Sequence, residues 1–453
     1  MTTTSATQSS VIIVGAGPVG LLTALNLARL AVPVLILERG PGIDQSPRAT
    51  SYQPCAMAEL EEAGVLDDVR AKSMVNNILY WVGRGKDKQR VAMVEKMEGG
   101  EKFKSGINCG QNVLAETIME HLLGKYGKVA KVEFGKTVEG LEQDEDGVEI
   151  TCKDTPSGAT VRYRCDWLVG TDGAGSAVRR SLGIEFEGFS WPKEDFVATN
   201  VRYPFEKYGF TTANFIMDPV HWAVITVIDD SGLWRCAFGV KAGMTNEEIK
   251  AELEEHYKEI LPGWPGEGYE LVQLNKYKPH QRCASQFRKG RCFLAGDAAH
   301  SNNPIGGLGL TTGLLDAGPL GRALGAVIRD AAPDTLLDTW AESRRHKWLA
   351  FTNGFSIENK RMVQRGGYSD DPLSIWKLDD ISREHGMDNW IRTAIPDKKE
   401  ADLAMYDALR DKVVQMKNRM KQWDIGMDPR WMEQYEDHHV VETRIALRPT
   451  ATT

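Results

Sequence analysis

The alternation of apolar and polar positions along residues 11–39 predicts a strand, a helix and a second strand in direct succession. Residues 11–14 are an uninterrupted apolar run, which is typical of a parallel strand buried on both faces. The helical period follows, with Leu21, Ala24, Leu25 and Ala28 on one face. Pro33 ends this helix, and residues 34–37 form the second buried strand.

Gly15, Gly17 and Gly20 join the first strand to the helix at the spacing GxGxxG. In a dinucleotide-binding turn the first glycine permits a tight turn, the second lets the backbone approach a pyrophosphate, and the third lets helix and strand pack closely. The helix N-terminus adds free N–H groups and the positive end of a dipole. A turn used only for packing is the alternative, but the complete order of strand, helix, strand and terminal acid favours a dinucleotide site.

Glu38 ends the second strand and Arg39 follows it, and we assign both residues to the cofactor site. A carboxylate at this point can accept hydrogen bonds from ribose hydroxyls. The acid favours an unphosphorylated ribose, and hence FAD or NAD rather than NADP as the resident dinucleotide. This stretch alone does not choose between FAD and NAD.

The rest of the chain predicts alternating helical and β-rich sections. Helices are expected near residues 56–63, 67–72, 111–125, 246–261 and 310–331, and strands near 78–95, 130–169, 221–228 and 233–240. Aromatic residues become frequent from about 185 to 280, which indicates an antiparallel sheet covering a pocket; an ordinary sheet core is the alternative for most of them. Charge-rich helical sequence fills 336–367 and, after a loop, 375–435. We interpret residues 375–435 as a helical cap, with a dimer contact or a lid over the substrate entrance as alternatives.

Two later segments distinguish FAD from NAD. In residues 166–183 a buried strand leads into Asp172–Gly173 and then into a short helix. In residues 291–317 a strand delivers Asp297, and a glycine-rich loop containing Pro304 enters a long apolar helix. An aspartate at a strand end can accept a hydrogen bond from a ribityl hydroxyl, and a helix N-terminus favours the negative charge of a reduced flavin. Either segment alone also fits a plain crossover connection, but all three segments in this order predict FAD.

Composition narrows the classes of partner and compartment. The chain has 453 residues and a net charge of −8 with dispersed basic residues, which argues against nucleic acid as the main partner. Its seven cysteines show no metal-binding spacing, so we expect no metal site and a reducing, cytoplasmic location. Residues 1–10 show no secretory signal. Residues 11–28 are apolar but interrupted by glycines, Pro18 and Asn26, so we expect no integral membrane segment.

The three segments together resemble the single-component (class A) FAD-dependent aromatic hydroxylases, the para-hydroxybenzoate hydroxylase-like flavoprotein monooxygenases. The resemblance covers roughly residues 10–350 and rests on GAGPVG, Asp172–Gly173 and Gly296–Asp297. With the patterns above it predicts an α/β fold with a glutathione-reductase-like βαβ FAD domain and an inserted antiparallel-sheet substrate domain. We expect the FAD domain in residues 10–75, 100–184 and 285–370, the substrate domain in 76–99 and 185–284, and a helical C-terminal region and tail in 371–453.

The resemblance implies roles for single residues around the FAD. Arg48 matches the arginine that reaches the pyrophosphate, Gln111 opens the helix near the cofactor, and Asp297 matches the ribityl-binding aspartate. Pro304 matches the proline whose backbone lines the reactive face of the flavin, which makes it a candidate catalytic residue. The loop and the helix after it add Gly307, Gly309, Leu310 and Thr311 to the cofactor site. Thr311 stands where the family often has asparagine, and Asn303 where it often has proline.

The resemblance also implies the reaction. NADPH or NADH would dock transiently, reduce the flavin and leave, and O₂ would then give a flavin C4a-hydroperoxide that hydroxylates a phenolic or other electron-rich hydrophobic substrate. The aromatic-rich domain suggests an aromatic, polyketide-like or terpenoid-like molecule of secondary metabolism. Alternatives on this fold are an epoxidase, a ring-opening oxygenase, a halogenase, a prenyl-chain reductase or a non-enzymatic relative. The halogenase signature WxWxIP is absent, and the intact aspartate–glycine motifs oppose a loss of flavin chemistry.

A base that deprotonates a phenol would raise the reactivity of the ring. The candidates in the predicted substrate domain are His221, Tyr203, Tyr208 and Arg235. We choose His221 as the catalytic base, with a structural role as the alternative for each of the four. His300 beside the flavin loop is interpreted as a loop histidine held by hydrogen bonds rather than as a catalytic group.

Overall fold

The structure is a computed structural model that describes residues 7–364, except 47, 77–78, 84–89, 95–104, 192, 219, 265 and 267. The predicted C-terminal region 371–453 lies outside the described residues, and so does the charged turn predicted within 78–95. Within the described ranges the structure contains no helix with both the length and the apolar character that a bilayer crossing requires.

Helices and strands alternate along the described chain in the predicted order. The helices are α1 (Pro18–Arg29), α2 (Pro54–Glu62), α3 (Leu66–Ala71), α4 (Gln111–Tyr126), α5 (Ala177–Ser181), α6 (Asn246–Ile260), α7 (Leu308–Arg329), α8 (Thr335–Lys347) and α9 (Gly354–Gln364). The strands are β1 (Thr7–Val14), β2 (Val34–Leu37), β3 (Ser51–Tyr52), β4 (Met74–Asn76), β5 (Leu79–Gly83), β6 (Arg90–Val94), β7 (Gly106–Asn108), β8 (Ala130–Glu133), β9 (Lys136–Gln143), β10 (Val148–Asp154), β11 (Thr160–Gly170), β12 (Phe186–Ser190), β13 (Glu194–Arg202), β14 (Ala213–Met217), β15 (Ala223–Val227), β16 (Leu233–Lys241), β17 (Glu270–Tyr277), β18 (His280–Ala284), β19 (Arg288–Lys289), β20 (Cys292–Leu294) and β21 (His300–Ser301). A π-helical turn, Trp348–Asn353, joins α8 to α9.

The largest sheet contains the predicted strand–helix–strand unit at its centre. Its strand order is β19-β20-β11-β1-β2-β8, and β10 and β9 continue from β11. β1 is parallel to both β2 and β11, and every side chain of β2 is buried, as expected for strands covered on both faces. Because β1, β11 and β20 are parallel, their carboxyl ends meet at one edge, which brings Gly15, Asp172 and Asp297 together.

A second sheet of seven strands has the order β17-β13-β16-β15-β14-β5-β6 and is mostly antiparallel, which confirms the predicted antiparallel sheet. β5 pairs with β14, and this pairing supports the inclusion of residues 76–99 in the substrate domain, whose boundaries stay predictions. One face of this sheet is covered by α6, which buries Ile249, Leu253 and Tyr257 against it. The opposite face turns toward the large sheet.

The two sheets have separate hydrophobic cores, and polar contacts link the seven-stranded sheet to a small sheet of β3, β7 and β4 and the residue before it. The Asn108 side-chain amide donates to the carbonyl oxygens of Thr212 (2.8 Å) and Val227 (3.1 Å). The hydroxyls of Thr50 and Thr226 lie 3.3 Å apart. No single hydrophobic core spans the space between the two large sheets in the described part of the chain, and hydrogen bonds lie beside it.

Candidate FAD and substrate site

A cavity of about 1170 Å³ lies between the parallel sheet and the seven-stranded sheet. One wall consists of the turn after β1, lining residues within 38–46 and 48–54, residues 171–175 and the loop 301–310. The other wall consists of the free face of the seven-stranded sheet and part of α9. Since sites for one small ligand are usually about 300–1,000 Å³, this cavity has room for a cofactor and a substrate together.

The three glycines of the first motif have different surroundings. Gly15 has φ +108°, and a Cβ there would lie 2.6 Å from the carbonyl oxygen of Thr171. A Cβ at Gly20 would collide with the Gly15 carbonyl. Gly17 has an ordinary extended backbone and no atom within 4 Å of where its Cβ would be. Packing thus requires Gly15 and Gly20, whereas the space at Gly17 is open to a ligand.

Glu38 is fixed at the edge of this space by two backbone N–H groups. Its carboxylate accepts hydrogen bonds from Ala16 N at 2.8 Å and from Gly40 N at 2.7 Å. A carboxylate has further lone pairs, so Glu38 keeps the capacity to accept hydrogen bonds from ribose hydroxyls, and its contact with a ribose stays a prediction. Arg39 is exposed and lies beside Glu38 in the cavity lining.

Arg48, Gln111 and Asp297 also line the cavity. Asp297 is open to the cavity, but the surrounding protein displaces water and raises the pKa of its carboxyl, against the opposing effect of His300 and Arg48. Arg48 forms an exposed ion pair with Asp44 at 2.8 Å. The structure therefore places all three predicted cofactor residues around one space.

Asp172 is in the lining, but its carboxylate is mainly engaged in capping α5. It accepts hydrogen bonds from Ser176 Oγ (2.5 Å), Ala177 N (2.6 Å) and Val178 N (3.2 Å). Burial raises the pKa of this carboxyl, and these donors oppose the rise. Gly173 follows with φ +82° and open space at its Cβ position. The pair thus shapes the turn beside the cavity.

The glycines of the loop before α7 differ in how closely other atoms approach them. A Cβ at Gly307 (φ +65°) would lie 2.8 Å from Ser51 O, whereas Gly309 has no neighbour closer than 3.8 Å. Pro304 and Leu310 line the cavity. Thr311 does not: its buried hydroxyl donates to Gly307 O (2.7 Å) and accepts from Gln53 N (3.1 Å). Any contact between Thr311 and the cofactor would therefore be made by its backbone atoms.

Gln53 is a lining residue that sequence reasoning missed. Its side-chain amide donates to Gly306 O at 2.8 Å, and it precedes α2, which starts at Pro54. Gln53 thus ties the start of α2 to the glycine-rich loop. No local motif marks it, because its partner is more than 250 residues away in the chain.

A buried charge network supports the Gly296–Asp297 turn from behind. Asp316 of α7 lies 2.6 Å from His300 Nε2 and 2.7 Å from Arg344 Nε, and it accepts from Gly296 N at 3.1 Å. Although burial alone would raise the pKa of Asp316, His300 and Arg344 hold it below its ordinary value. His300 is therefore held by a hydrogen bond at Nε2, whereas its buried Nδ1 has no partner among the described residues, so the ring is only partly satisfied.

Asp316→Asn is expected to destabilise the protein by about 2 kcal/mol at pH 7, because charge-assisted hydrogen bonds are lost. A lowered carboxyl pKa gives stability that is present above the ordinary value of 3.8 and is lost as pH falls through the folded-state pKa. The difference in unfolding free energy between the wild type and Asp316→Asn should therefore become smaller below the ordinary carboxyl pKa, as measured by urea unfolding across pH. Asp338→Asn is the control and should change stability by under about 0.5 kcal/mol, because Asp338 is exposed and its partner Arg288 keeps a second ion pair with Asp334. A difference at Asp316 that is independent of pH would contradict this assignment.

The free face of the seven-stranded sheet is aromatic. Its lining side chains are Phe196, Ala198, Ala213, Phe215, Trp222, Val224, Thr226, Arg235, Ala237 and Tyr277. Within each strand these positions are two residues apart, as the alternation of a strand requires. The intervening residues, such as Ala223 and Ile225, pack beneath α6.

Arg235 is the cation within this aromatic wall and is only 8% exposed. Its Nε donates to Asn200 Oδ1 at 2.7 Å, and its Nη1 donates to the carbonyl of Arg48. Burial lowers the pKa of its guanidinium to about 10, against a smaller opposing effect of Tyr277. In the described part of the chain no carboxylate forms an ion pair with Arg235, and Nη2 makes no hydrogen bond.

The structure does not bring the other base candidates into the cavity lining. His221 lies on the α6 side, with its Nδ1 3.4 Å from Nδ1 of His256. The Tyr203 hydroxyl donates to Pro262 O, and Tyr208 stacks on Tyr203. Of the four candidates only Arg235 lines the cavity, and a catalytic role for His221 stays a prediction.

Known proteins are similar to this chain over most of its length. A family model described as "FAD binding domain" matches residues 8–352. Para-nitrophenol 4-monooxygenase from Pseudomonas sp. (strain WBC-3) is 39% identical over 84% of this chain and 93% of that protein. The 6-hydroxy-3-succinoylpyridine 3-monooxygenase HspB from Pseudomonas putida (strain DSM 28022 / S16) is 34% identical over 89% and 97%.

A solved structure gives the same result in three dimensions. The crystal structure of p-nitrophenol 4-monooxygenase PnpA from Pseudomonas putida DLL-E4 superposes with a TM-score of 0.80, at 35% identity, over 92% of this chain and 99% of that one. The motif set, the cavity and these similarities agree with one another. This chain belongs to the class A FAD-dependent aromatic hydroxylases, a family of flavoprotein monooxygenases.

Proposed function

We propose that this FAD-dependent monooxygenase hydroxylates a compact phenol that binds as its phenolate, with NADPH or NADH as electron donor and O₂ as oxygen source. The observation that carries this proposal is Arg235, a buried cation with no carboxylate partner within the described chain, set in an aromatic wall. Two relatives are named for p-nitrophenol and for a hydroxypyridine, both hydroxylated aromatic rings. In place of the polyketide-like or terpenoid-like molecule predicted from composition, we therefore favour a small ring with an acidic hydroxyl.

The residues around the cavity fit an FAD. The open space at Gly17 would accept the pyrophosphate at the N-terminus of α1, Glu38 would accept ribose hydroxyls, and Asp297 a ribityl hydroxyl. Arg48 would place a positive charge near the phosphates. When bound, FAD supplies the activation of O₂ and the transfer of one oxygen atom, after reduction by the nicotinamide nucleotide.

The protein's own contribution is to hold the substrate and its charge. Nη2 of Arg235 is available to donate a charge-assisted hydrogen bond to a phenolate oxygen, which favours the ionised and more electron-rich form of the ring. Phe196, Phe215 and Trp222 exclude water and offer flat apolar surface to that ring. In this proposal Arg235 lowers the pKa of the substrate, so no separate base is needed in contact with the ring.

We also propose a cytoplasmic location. All seven cysteines are free and buried, which is usual for proteins of a reducing compartment. A homodimer stays a prediction, because the C-terminal region on which it was based lies outside the described residues.

The proposal predicts that 4-nitrophenol stimulates NADPH or NADH oxidation by at least about 10-fold, and that its methyl ether, 4-nitroanisole, does not. The ether has nearly the same shape but cannot ionise, and losing a hydrogen bond between charged groups weakens binding by about 10- to 100-fold. The measurement is nicotinamide absorbance together with mass spectrometry under ¹⁸O₂. Incorporation of one labelled atom into the phenol-derived product supports the proposal. Equal stimulation by phenol and ether, or production of hydrogen peroxide alone, would contradict it.

A further inference from the structure

Helix α9 contacts both walls of the cavity. On the flavin-loop side, the side-chain amide of Asn359 donates to Ile305 O at 3.3 Å. On the sheet side, the backbone N–H of Asp218 donates to Val363 O at 2.8 Å. Phe355 and Asn359 themselves line the cavity. A shift of α9 would therefore be transmitted to the cofactor side and the substrate side together.

The strongest link from α9 to the sheet is a buried ion pair. Lys360 is only 2% exposed, and its ammonium lies 2.5 Å from Oε2 of Glu194, the first residue of β13. The other oxygen of Glu194 accepts the indole N–H of Trp222 at 3.2 Å and the amide of Gln364 at 2.9 Å. The Lys360 ammonium also donates to Gln364 Oε1 at 2.7 Å. Because removing one partner of a buried ion pair is strongly destabilising, Lys360 and Glu194 keep one another in place. One carboxylate thus connects α9 with a side chain of the aromatic wall.

The same ammonium contacts the wall directly. It lies 5.5 Å from the ring centre of Phe196 and 5.1 Å from that of Trp191. Phe196 and Trp222 pack with ring centres 4.9 Å apart, and both line the cavity. Gly239 makes room for this arrangement, since a Cβ there would collide with Glu194 and lie 2.9 Å from the Trp222 ring.

We propose that Lys360, acting through Glu194, is a positioning residue that sets the placement of Trp222 and Phe196 and thereby the size of aromatic ring that the cavity accepts. This inference rests on the proposed function for the nature of the substrate, but not for the position of the rings. An indole fixed at its N–H cannot tilt away from a larger ring, so the ion pair acts as a limit on substrate width. Lys360 touches no reacting atom in this scheme.

The first test compares a narrow and a wide phenol in the FAD-loaded enzyme. In Lys360→Met the ratio of kcat/KM for 4-nitrophenol to that for 4-nitro-1-naphthol should fall about 10-fold, mainly through KM, because uniform binding of the narrow ring is lost. Flavin content should stay at the wild-type level. Arg322→Met breaks a buried ion pair of similar burial with Glu59, outside the cavity lining, and is the matched control. It should lower Tm without changing the ratio; equal ratios in all three proteins would overturn the proposal.

A second readout needs neither substrate nor catalysis. Amide hydrogen exchange in residues 221–227 and 355–364 should become at least about 10-fold faster in Lys360→Met and stay unchanged in Arg322→Met. The double variant Lys360→Met with Glu194→Gln removes both charges, so it avoids an unpaired buried charge if the single variant fails to fold. It should show the same faster exchange. Wild-type exchange rates in both variants would refute the positioning role, whereas failure of 4-nitrophenol to bind wild-type enzyme would refute only the proposed function.

Discussion

Gly17→Val is expected to give a folded protein that purifies without flavin. The introduced isopropyl group would occupy the open space at the N-terminus of α1, where the surrounding N–H groups would meet a pyrophosphate. We expect FAD affinity to fall at least about 1000-fold, which corresponds to about 4 kcal/mol. The apoprotein should lose only about 1 kcal/mol, since the backbone at Gly17 is extended and the change affects a helix cap alone.

Gly20→Ala is the matched comparison within the same motif. A methyl group there would collide with the Gly15 carbonyl and lie 2.6 Å from Thr171 Oγ1, so we expect the apoprotein itself to lose about 2–3 kcal/mol. The measurements are the ratio of flavin to protein absorbance, calorimetric titration with FAD, and thermal unfolding of both apoproteins. Normal FAD binding by Gly17→Val would mean that the pyrophosphate does not lie at this turn.

The cofactor side of the cavity was predictable because parallel strands bring distant segments to one edge. Gly15, Asp172 and Asp297 each follow a buried strand, and strand pairing alone places them together. The sequence motifs do not show which partner each of these side chains has. The Asp172 carboxylate caps α5, and the Thr311 hydroxyl accepts a hydrogen bond from the distant Gln53 N–H; the motifs indicate neither contact.

The substrate side was harder to predict, because a strand's alternation gives two faces without saying which one is the cavity. Adjacent residues of a strand point to opposite faces, so a shift of one position reverses the assignment. His221 lies on the α6 side, and its neighbour Trp222 lines the cavity. By the same alternation Arg235 faces the cavity, whereas its neighbours Trp234 and Cys236 pack beneath α6. The pairing of Glu194 with Lys360 joins residues 166 positions apart and has no local signature.

Arg235→Met is expected to lower kcat/KM for 4-nitrophenol about 1000-fold while FAD content stays near the wild-type level. The substituted enzyme would bury a phenolate without a partner, and losing one member of a buried charge pair costs about 2–5 kcal/mol. Arg235 contacts the predicted cofactor residues only through the backbone carbonyl of Arg48, so we expect little change in flavin loading, which is measured beside kcat/KM. Arg235→Lys keeps the charge but not the planar fork that holds Asn200, and should lose about 10-fold.

The same substitution to methionine should stabilise the protein. Because burial lowers the pKa of Arg235 to about 10 from 12.5, its charged form carries a free-energy cost in the folded state at every pH below about 10. That cost is relieved only as pH rises toward 12.5, so it is fully present at pH 7. Removing the cation gains about 3 kcal/mol, and loss of the hydrogen bonds to Asn200 and to the Arg48 carbonyl costs about 1 kcal/mol each, which leaves a net gain of about 1 kcal/mol.

Thermal unfolding of the Arg235→Met apoprotein should therefore show a Tm about 1–2 °C above that of the wild type. Arg202→Met, at an exposed arginine of β13 paired with Glu270, is the control and should change neither Tm nor kcat/KM appreciably. A more stable and inactive Arg235→Met would show that the Arg235 guanidinium binds the ligand and lowers the stability of the folded protein. A less stable variant with normal kcat/KM would instead make Arg235 a structural residue, and the phenolate would need another partner in the cavity.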